Sequence, residues 1–449
     1  MKEVRFFVIT DPHFFKNALG AYGDEYEAFM DGEQKCFAET EAISRAVLDD
    51  LAGRDDADIV LIAGDLSFDG EKESHEAFSR LLHEFREKSG KRVYVVTAGH
   101  DMNENPRIFT DAGLGHTAGT KFDELYDYYR DFGYDEAIAF NREHLSYVVD
   151  LSEDVRLLVI CNDTAEAKHC TYDDEFLRWI ETQAKTAQQD GKMMIAMEHY
   201  PVLPGQPVFA LIGDARQPQS EKLIDTLADN GVHLIFTGHM HNQSVNVVQT
   251  AKGNKFYDVC TGAVIGCPAF MRLVTVIDRD TVRLESIPIP EFDWDKKGMT
   301  GEEYLRVQFG RMIRTYIDCM EHDPQRFMRK VRIKPSPVLE TIFRRVGRKL
   351  SRMTVGQFTR LLFVRADDAV ENERFVDFAV DLVRAVFEGN QPYIEGTPAG
   401  DTLLRVFRRL RPFFKNLKGT DGEPLDFYET FKHTVGNYGI DDYNAVLKF

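Results

Sequence analysis

Five short apolar runs end in an aspartate or a histidine, and this repeated ending constrains the fold more than any other feature of the chain. Val4–Thr10 is followed by Asp11 and then His13. Ile59–Ala63 is followed by Gly64-Asp65. Arg92–Thr97 leads into Ala98-Gly99-His100-Asp101, Met193–Glu198 into His199, and His233–Thr237 into Gly238-His239-Met240-His241. Runs of this length and composition read as buried strands. Open α/β sheets carry their sites at the carboxyl ends of strands. If these strands lie side by side with their ends on one edge, carboxylates and imidazoles converge in one pocket.

Between the runs the apolar spacing turns helical. Gln34 to Ala52 sets Phe37, Ile43, Ala46, Val47 and Leu51 on one face, and Glu71 to Lys88, Asp173 to Gln189 and Glu221 to Asn230 are also helical in pattern. Strand–helix–strand order predicts a parallel sheet with right-handed crossovers. Leu145–Leu151 and Val155–Cys161 predict a hairpin. Val245–Thr250, Lys255–Cys260, Arg272–Asp278 and Val282–Ile287 predict short antiparallel strands separated by turn residues. The polar, aromatic segment from Asn103 to Asn141 reads as a long insertion with one or two short helices. The sum is an α/β fold of two mixed sheets with helices outside.

The composition shifts near Pro288-Ile289-Pro290. Beyond it the pattern is helical, over Gly301–Met320, Pro337–Leu350, Thr354–Phe363, Glu371–Phe387, Thr402–Leu417 and Pro424–His433. A chain of 449 residues exceeds one ordinary core. The expected division is 1–290 for the first domain and 291–449 for a helical second one. Two basic stretches, Arg326 to Arg352 and Arg405 to Lys418, read as solvated helix faces; the alternatives are that they face the acidic first domain or an anionic ligand. A net charge of −19 argues against a nucleic-acid binder. No apolar run is long enough to cross a membrane. Met1-Lys2-Glu3 leads straight into a strand, with no signal-peptide pattern. The six cysteines show no CxxC pairing and read as reduced core thiols, so a cytoplasmic protein is expected.

Carboxylates mixed with imidazoles suit divalent first-row metals. Asp-x-His and His-x-His each aim two donors outward from a short turn, and Asp65 is a candidate bridge between two cations. His100 followed by Asp101 pairs a proton donor with an orienting carboxylate. Phe14, Phe15, Tyr22 and Tyr26 are packing groups by the ordinary behaviour of loop aromatics, with stacking on a base as the alternative.

The series Asp11-x-His13, Gly64-Asp65, His100-Asp101, His199 and Gly238-His239-x-His241 resembles the calcineurin-like metallophosphoesterase superfamily over roughly residues 1–290. The surrounding pattern, with Gly266, Pro268 and Arg272, is similar to the bacterial branch that includes class III cyclic-nucleotide phosphodiesterases with a helical C-terminal domain. The resemblance implies a four-layer α/β/β/α sandwich of two mixed sheets, plus an all-helical C-terminal domain acting as lid or wall. It implies two divalent metal ions, Mn, Fe or Zn. Asp11, His13 and His241 would hold the first, His199 and His239 the second, with Asp65 bridging. His100 would bind beside the phosphate and assist the leaving oxygen, oriented by Asp101.

One position departs from the family. Its motif has an asparagine ligand where this chain has Gly99, so the second site is expected to be weaker. The expected activity is hydrolysis of a phosphodiester, a cyclic nucleotide or a related small phosphorylated substrate, by a metal-activated hydroxide. The alternatives are a phosphomonoesterase or nucleotidase, and a weakly active metal- or phosphate-binding regulatory protein.

Overall fold

A computed structural model describes residues 1–168, 172–213, 215–330, 333–389 and 391–449. Its strands, in chain order, are β1 (Val4–Ile9), β2 (Ile59–Ala63), β3 (Arg92–Val96), β4 (Arg107–Thr110), β5 (Gly113–His116), β6 (Ala139–Asn141), β7 (Ser146–Asp150), β8 (Val155–Ile160), β9 (Met193–Glu198), β10 (Leu234–Thr237), β11 (Ser244–Gln249), β12 (Lys255–Cys260), β13 (Phe270–Asp278), β14 (Thr281–Pro288) and β15 (Ala445–Lys448). The helices are α1 (Asp24–Met30), α2 (Thr40–Gly53), α3 (Lys72–Ser89), α4 (Phe122–Tyr129), α5 (Asp174–Gln189), α6 (Ser220–Ala228), α7 (Gly301–His322), α8 (Pro324–Lys330), α9 (Pro337–Leu350), α10 (Val355–Leu361), α11 (Phe375–Glu388), α12 (Pro398–Leu410) and α13 (Phe427–Val435).

Two mixed sheets stack face to face, as the α/β reading expected. One has the order β15-β14-β13-β1-β2-β3, the other β11-β12-β10-β9-β8-β7-β6. β1, β2 and β3 run parallel, and so do β8, β9, β10 and β12. Parallel strands need both faces covered, and their near-continuous apolar sequences supply two faces at once. Because side chains alternate along a strand, Ile195 and Met197 of β9 enter the core between the sheets. Met194 and Ala196, between and beside them, face the separate cluster under α5 and α6. Phe6 of β1 meets Phe236 of β10 edge to face at 5.5 Å, across the gap between sheets. On the far side α2 and α3 pack Val47, Leu51, Phe78 and Leu82 against the first sheet. The four layers are therefore helix, sheet, sheet, helix.

Several boundaries differ from the sequence reading. Helix α2 starts at Thr40, six residues after Gln34. The residues before it are held instead by tertiary contacts: Cys36 N donates to the Ile265 carbonyl at 2.9 Å, and Phe37 stacks on Phe68 with ring centroids 3.9 Å apart. The insertion after Asn103 holds a hairpin, β4 with β5, as well as α4. Phe14, Phe15 and Tyr26 are buried, the last two in one aromatic cluster with Phe37, Phe68 and Phe109, so they pack rather than await a base.

The C-terminal helices form their own core around Phe378, Leu404, Phe407 and Phe427, but they are not set apart from the sheets. Leu305 and Phe309 of α7 join the main core. β15, a strand the helical pattern did not include, pairs antiparallel with β14. The first basic stretch, Arg326 to Arg352, does two things. Arg326 and Lys330 reach the carbonyls of Ala28 and Gly32 in the N-terminal part. Arg348 and Arg352 converge on Glu321, and Arg344 on its carbonyl. Cys36, Cys161, Cys260, Cys267 and Cys319 are buried free thiols; Cys170 lies outside the described residues. Among the described residues no helix is long and apolar enough to cross a membrane.

Candidate metal centre

The strand ends meet on one edge. Among the described residues three groups bring their donor atoms within 4.8 Å of one another: Asp11 with His13 and His241; Asp65 with His199 and His239; and His13 with Asp65 and His100. All six residues read as metal-binding, and His100 with them, thus lie in one cluster. His13 and His241 are 228 positions apart in sequence, yet their Nε2 atoms are 3.2 Å apart.

Backbone geometry sets the aim of the donors. Among the described residues nine non-glycine residues have positive φ, and five of them are Asp11, His13, Asp65, His239 and His241. The left-handed region costs a residue with a Cβ about 1–3 kcal/mol, and such strain persists only where the surroundings enforce it. Leaving the strand through this conformation turns the side chain back over the sheet edge. The glycines beside them answer to crowding: a Cβ at Gly64 would overlap the His199 ring, and one at Gly238 the Asp11 carboxylate.

Asp65 stands between the groups. Its Oδ2 is 3.5 Å from His13 Nε2 and 3.0 Å from His199 Nε2, while Oδ1 accepts the His100 backbone N–H at 3.1 Å. Asp11 Oδ1 is 3.3 Å from His241 Nε2 and 3.8 Å from His199 Nε2, and the carboxylate accepts the His239 backbone N–H. Burial alone would raise both carboxyls. The surrounding imidazoles outweigh it, His241 and His199 at Asp11, His199 and His100 at Asp65, and hold both below the usual range. Burial likewise disfavours a charged His199, but Asp65 and Asp11 lift it to about 10.

The donors fit a divalent cation. His199 donates Nδ1–H to the Ala63 carbonyl at 2.8 Å, which fixes its tautomer and turns Nε2 inward. That buried Nε2 faces Asp65 Oδ2 at 3.0 Å without the alignment of a regular hydrogen bond. An inward imidazole nitrogen crowded against two carboxylates at poor hydrogen-bond alignment is a donor set that fits a divalent cation.

His100 and Asp101 do not pair as their adjacency suggested. Both sit in a short 3-10 turn (Gly99–Asp101), where neighbouring side chains diverge. The Asp101 carboxylate is buried and engaged by backbone, accepting from Ser67 N at 2.7 Å and Ala98 N at 2.9 Å. Burial and then the charge of Asp65 push it up to about 8, against those hydrogen bonds. The orienting contact to the His100 ring comes from Phe68, whose carbonyl accepts from Nδ1 at 2.7 Å. Burial, helped by Lys35, brings His100 down to about 4.

Gly99 has no side chain to offer, and its backbone is clamped. Its N–H donates to the Tyr200 hydroxyl at 2.9 Å, which in turn donates to Asp163, and its carbonyl accepts from Lys168. The Tyr200 ring packs edge-on to both His199 and His239, with centroids 4.9 Å apart in each case. Sequence reading did not single out Tyr200, Phe68 or Lys35. Lys35 left little trace either, a cation between Gln34 and Cys36 in a stretch read as helix.

Comparison with known proteins gives a family for the chain. A model of the calcineurin-like phosphoesterase family matches residues 4–243. Among solved structures, a dimetal phosphatase from Danio rerio is similar at 12% identity, over 65% of this chain and 98% of that one, with a TM-score of 0.46. A purple acid phosphatase from yellow lupin seeds is similar at 16% identity, over 64% and 52% of the two chains, with a TM-score of 0.40. A putative 5′-nucleotidase from Staphylococcus aureus is similar at 10% identity, over 84% and 72%, with a TM-score of 0.39. No curated protein matches.

Proposed function

The chain belongs to the calcineurin-like phosphoesterase family, metal-dependent hydrolases of phosphoric esters, and from that premise we propose that it hydrolyses small phosphodiesters, cyclic nucleotides or their relatives. In this reading Asp11, His13 and His241 hold one divalent cation and His199 and His239 the other, with Asp65 shared. Mn, Fe and Zn fit a donor set this rich in imidazole better than Mg or Ca. Bound there, the cations supply Lewis-acid charge and a hydroxide nucleophile at neutral pH. The observation that carries the reading is Asp65, one of whose oxygens lies within 3.5 Å of a histidine from each side.

The protein's own groups do the rest. His100, held by the Phe68 carbonyl, stands beside the cluster with its ring 4.7 Å from that of His13, where a proton taken up on Nε2 would let it assist a leaving-group oxygen. Asp101 acts at one remove: by tying Ser67 to Ala98 it holds the loops that carry His100 and Phe68. Residues 1–290 supply the site, and 291–449 form the wall that selects substrate. With Gly99 in place of a ligand, the second cation exchanges more readily. The substrates are small phosphorylated molecules.

Two observations keep other readings in view. The buried ammonium of Lys35 favours a phosphomonoesterase, since an extra fixed cation suits a dianion. Gly99 favours a weakly active, phosphate-binding regulator. Protein reconstituted with Mn, Fe or Zn and assayed on a bis-aryl phosphate, cyclic nucleotides and aryl monoesters separates these. Diester turnover that tracks metal content is the expected result. No turnover of any ester at two metal equivalents per chain would sink the hydrolase reading.

A further inference from the structure

Lys35 is 7% exposed, and its ammonium lies beside the metal cluster rather than in a salt bridge. Nζ is 3.3 Å from His13 Nδ1 and 3.4 Å from His13 Nε2, and 4.7 Å from the centroid of the Phe68 ring. Among the described residues no carboxylate pairs with it within ion-pair distance; Glu33 first, then Asp65, Asp11 and Asp69, act on it only through space. Its stem is fixed, because Cys36 is bonded to Ile265 and Phe37 is stacked on Phe68.

Burying an ammonium that no carboxylate contacts directly is unfavourable, and distant carboxylates offset only part of the lost hydration. The imidazole nitrogens of His13 do not offset this once a cation claims a lone pair of that ring. The N–H groups that face His13 would then lose that acceptor and be left turned toward the site. Phe68 contacts both groups, its ring lying under Lys35 and its carbonyl against His100, and both groups border the His13 ring.

We propose that Lys35 binds a non-bridging oxygen of the substrate phosphoryl group and thereby sets how well the site accepts a dianion. This rests on the phosphoester reading above and deepens it. A charge-assisted N–H···O bond to phosphate meets the unsatisfied donors and offsets the burial of the charge. A phosphomonoester dianion carries one more negative charge than a diester, so the fixed ammonium is worth more to a monoester. Lys35 is then a determinant of the ratio between the two activities.

Lys35→Met and Lys35→Gln, two neutral side chains of similar length, test this in the full chain loaded with manganese. Metal per chain is read by mass spectrometry, inorganic phosphate binding by calorimetry, and kcat/KM on an aryl monoester and a bis-aryl phosphate. The expected result is unchanged or raised metal content, with phosphate binding weakened roughly tenfold or more. The monoester kcat/KM should fall further than that of the diester. Phosphate bound equally well by wild type and both variants at equal metal content would overturn the proposal and leave Lys35 as compensation for the nearby carboxylates. The calorimetry decides this even for a chain that hydrolyses no ester, an outcome that would defeat the proposed function alone.

Discussion

The Nδ1 of His100 lies 2.7 Å from the backbone carbonyl oxygen of Phe68. A carbonyl only accepts, so Nδ1 carries the proton and Nε2 is left for the site. Nothing in a linear pattern marks a backbone carbonyl as the partner of a histidine 32 positions away.

His100→Gln removes the imidazole while leaving the donor groups around Asp65 in place. Expected is a fall in kcat on the order of 100-fold with metal content unchanged, read by steady-state kinetics beside elemental analysis. Loss of metal in this variant would make His100 a ligand rather than a partner of the leaving group.

Asp65→Asn tests the shared carboxylate. Asparagine tolerates positive φ, so the backbone at this position is spared. Metal content should drop below one equivalent and activity by more than about 100-fold. Two equivalents retained after dialysis would show that the carboxylate does not bridge.

Gly99→Asn restores a side-chain oxygen next to the weaker site. The expected outcome is a manganese isotherm whose second step tightens by roughly tenfold. An unchanged isotherm would mean that the clamp from Tyr200 and Lys168 keeps position 99 out of reach.

His75 predicts acid sensitivity. Buried between the Tyr129 hydroxyl and the Asp101 carbonyl, it is brought by burial from 6.5 down to about 4, against the hydrogen bond to Asp101. Between those values the unfolded chain binds more protons than the folded one. The stability is therefore whole above pH 6.5 and drains away as pH falls toward 4, by about 3 kcal/mol. Denaturant titrations from pH 7 to 4.5 should show this slope, and His75→Gln should flatten it; an equal slope in the variant would place the acid lability elsewhere.

Phe309 anchors the helical segment. It is fully buried against the main core, near Phe387 of α11 with ring centroids 5.4 Å apart. Phe309→Ala should cost about 3–5 kcal/mol in chemical denaturation, a loss that an independently folding, undocked helical region would not transmit to the sheets.

The sequence by itself settled the chemistry of the donors and the class of fold. Strand composition is local, so Val4–Ile9, Ile59–Ala63 and Met193–Glu198 declared themselves, and with them the aspartates and histidines at their ends. Partnership is not local. That His13 meets His241, that Asp101 serves Ser67 and Ala98 while Phe68 holds His100, and that Lys35 turns its ammonium to the cluster were decided by packing between distant segments. So was the return of Ala445–Lys448 to the first sheet, because a strand of four residues carries too little pattern to announce itself and gains its order only from the edge it joins.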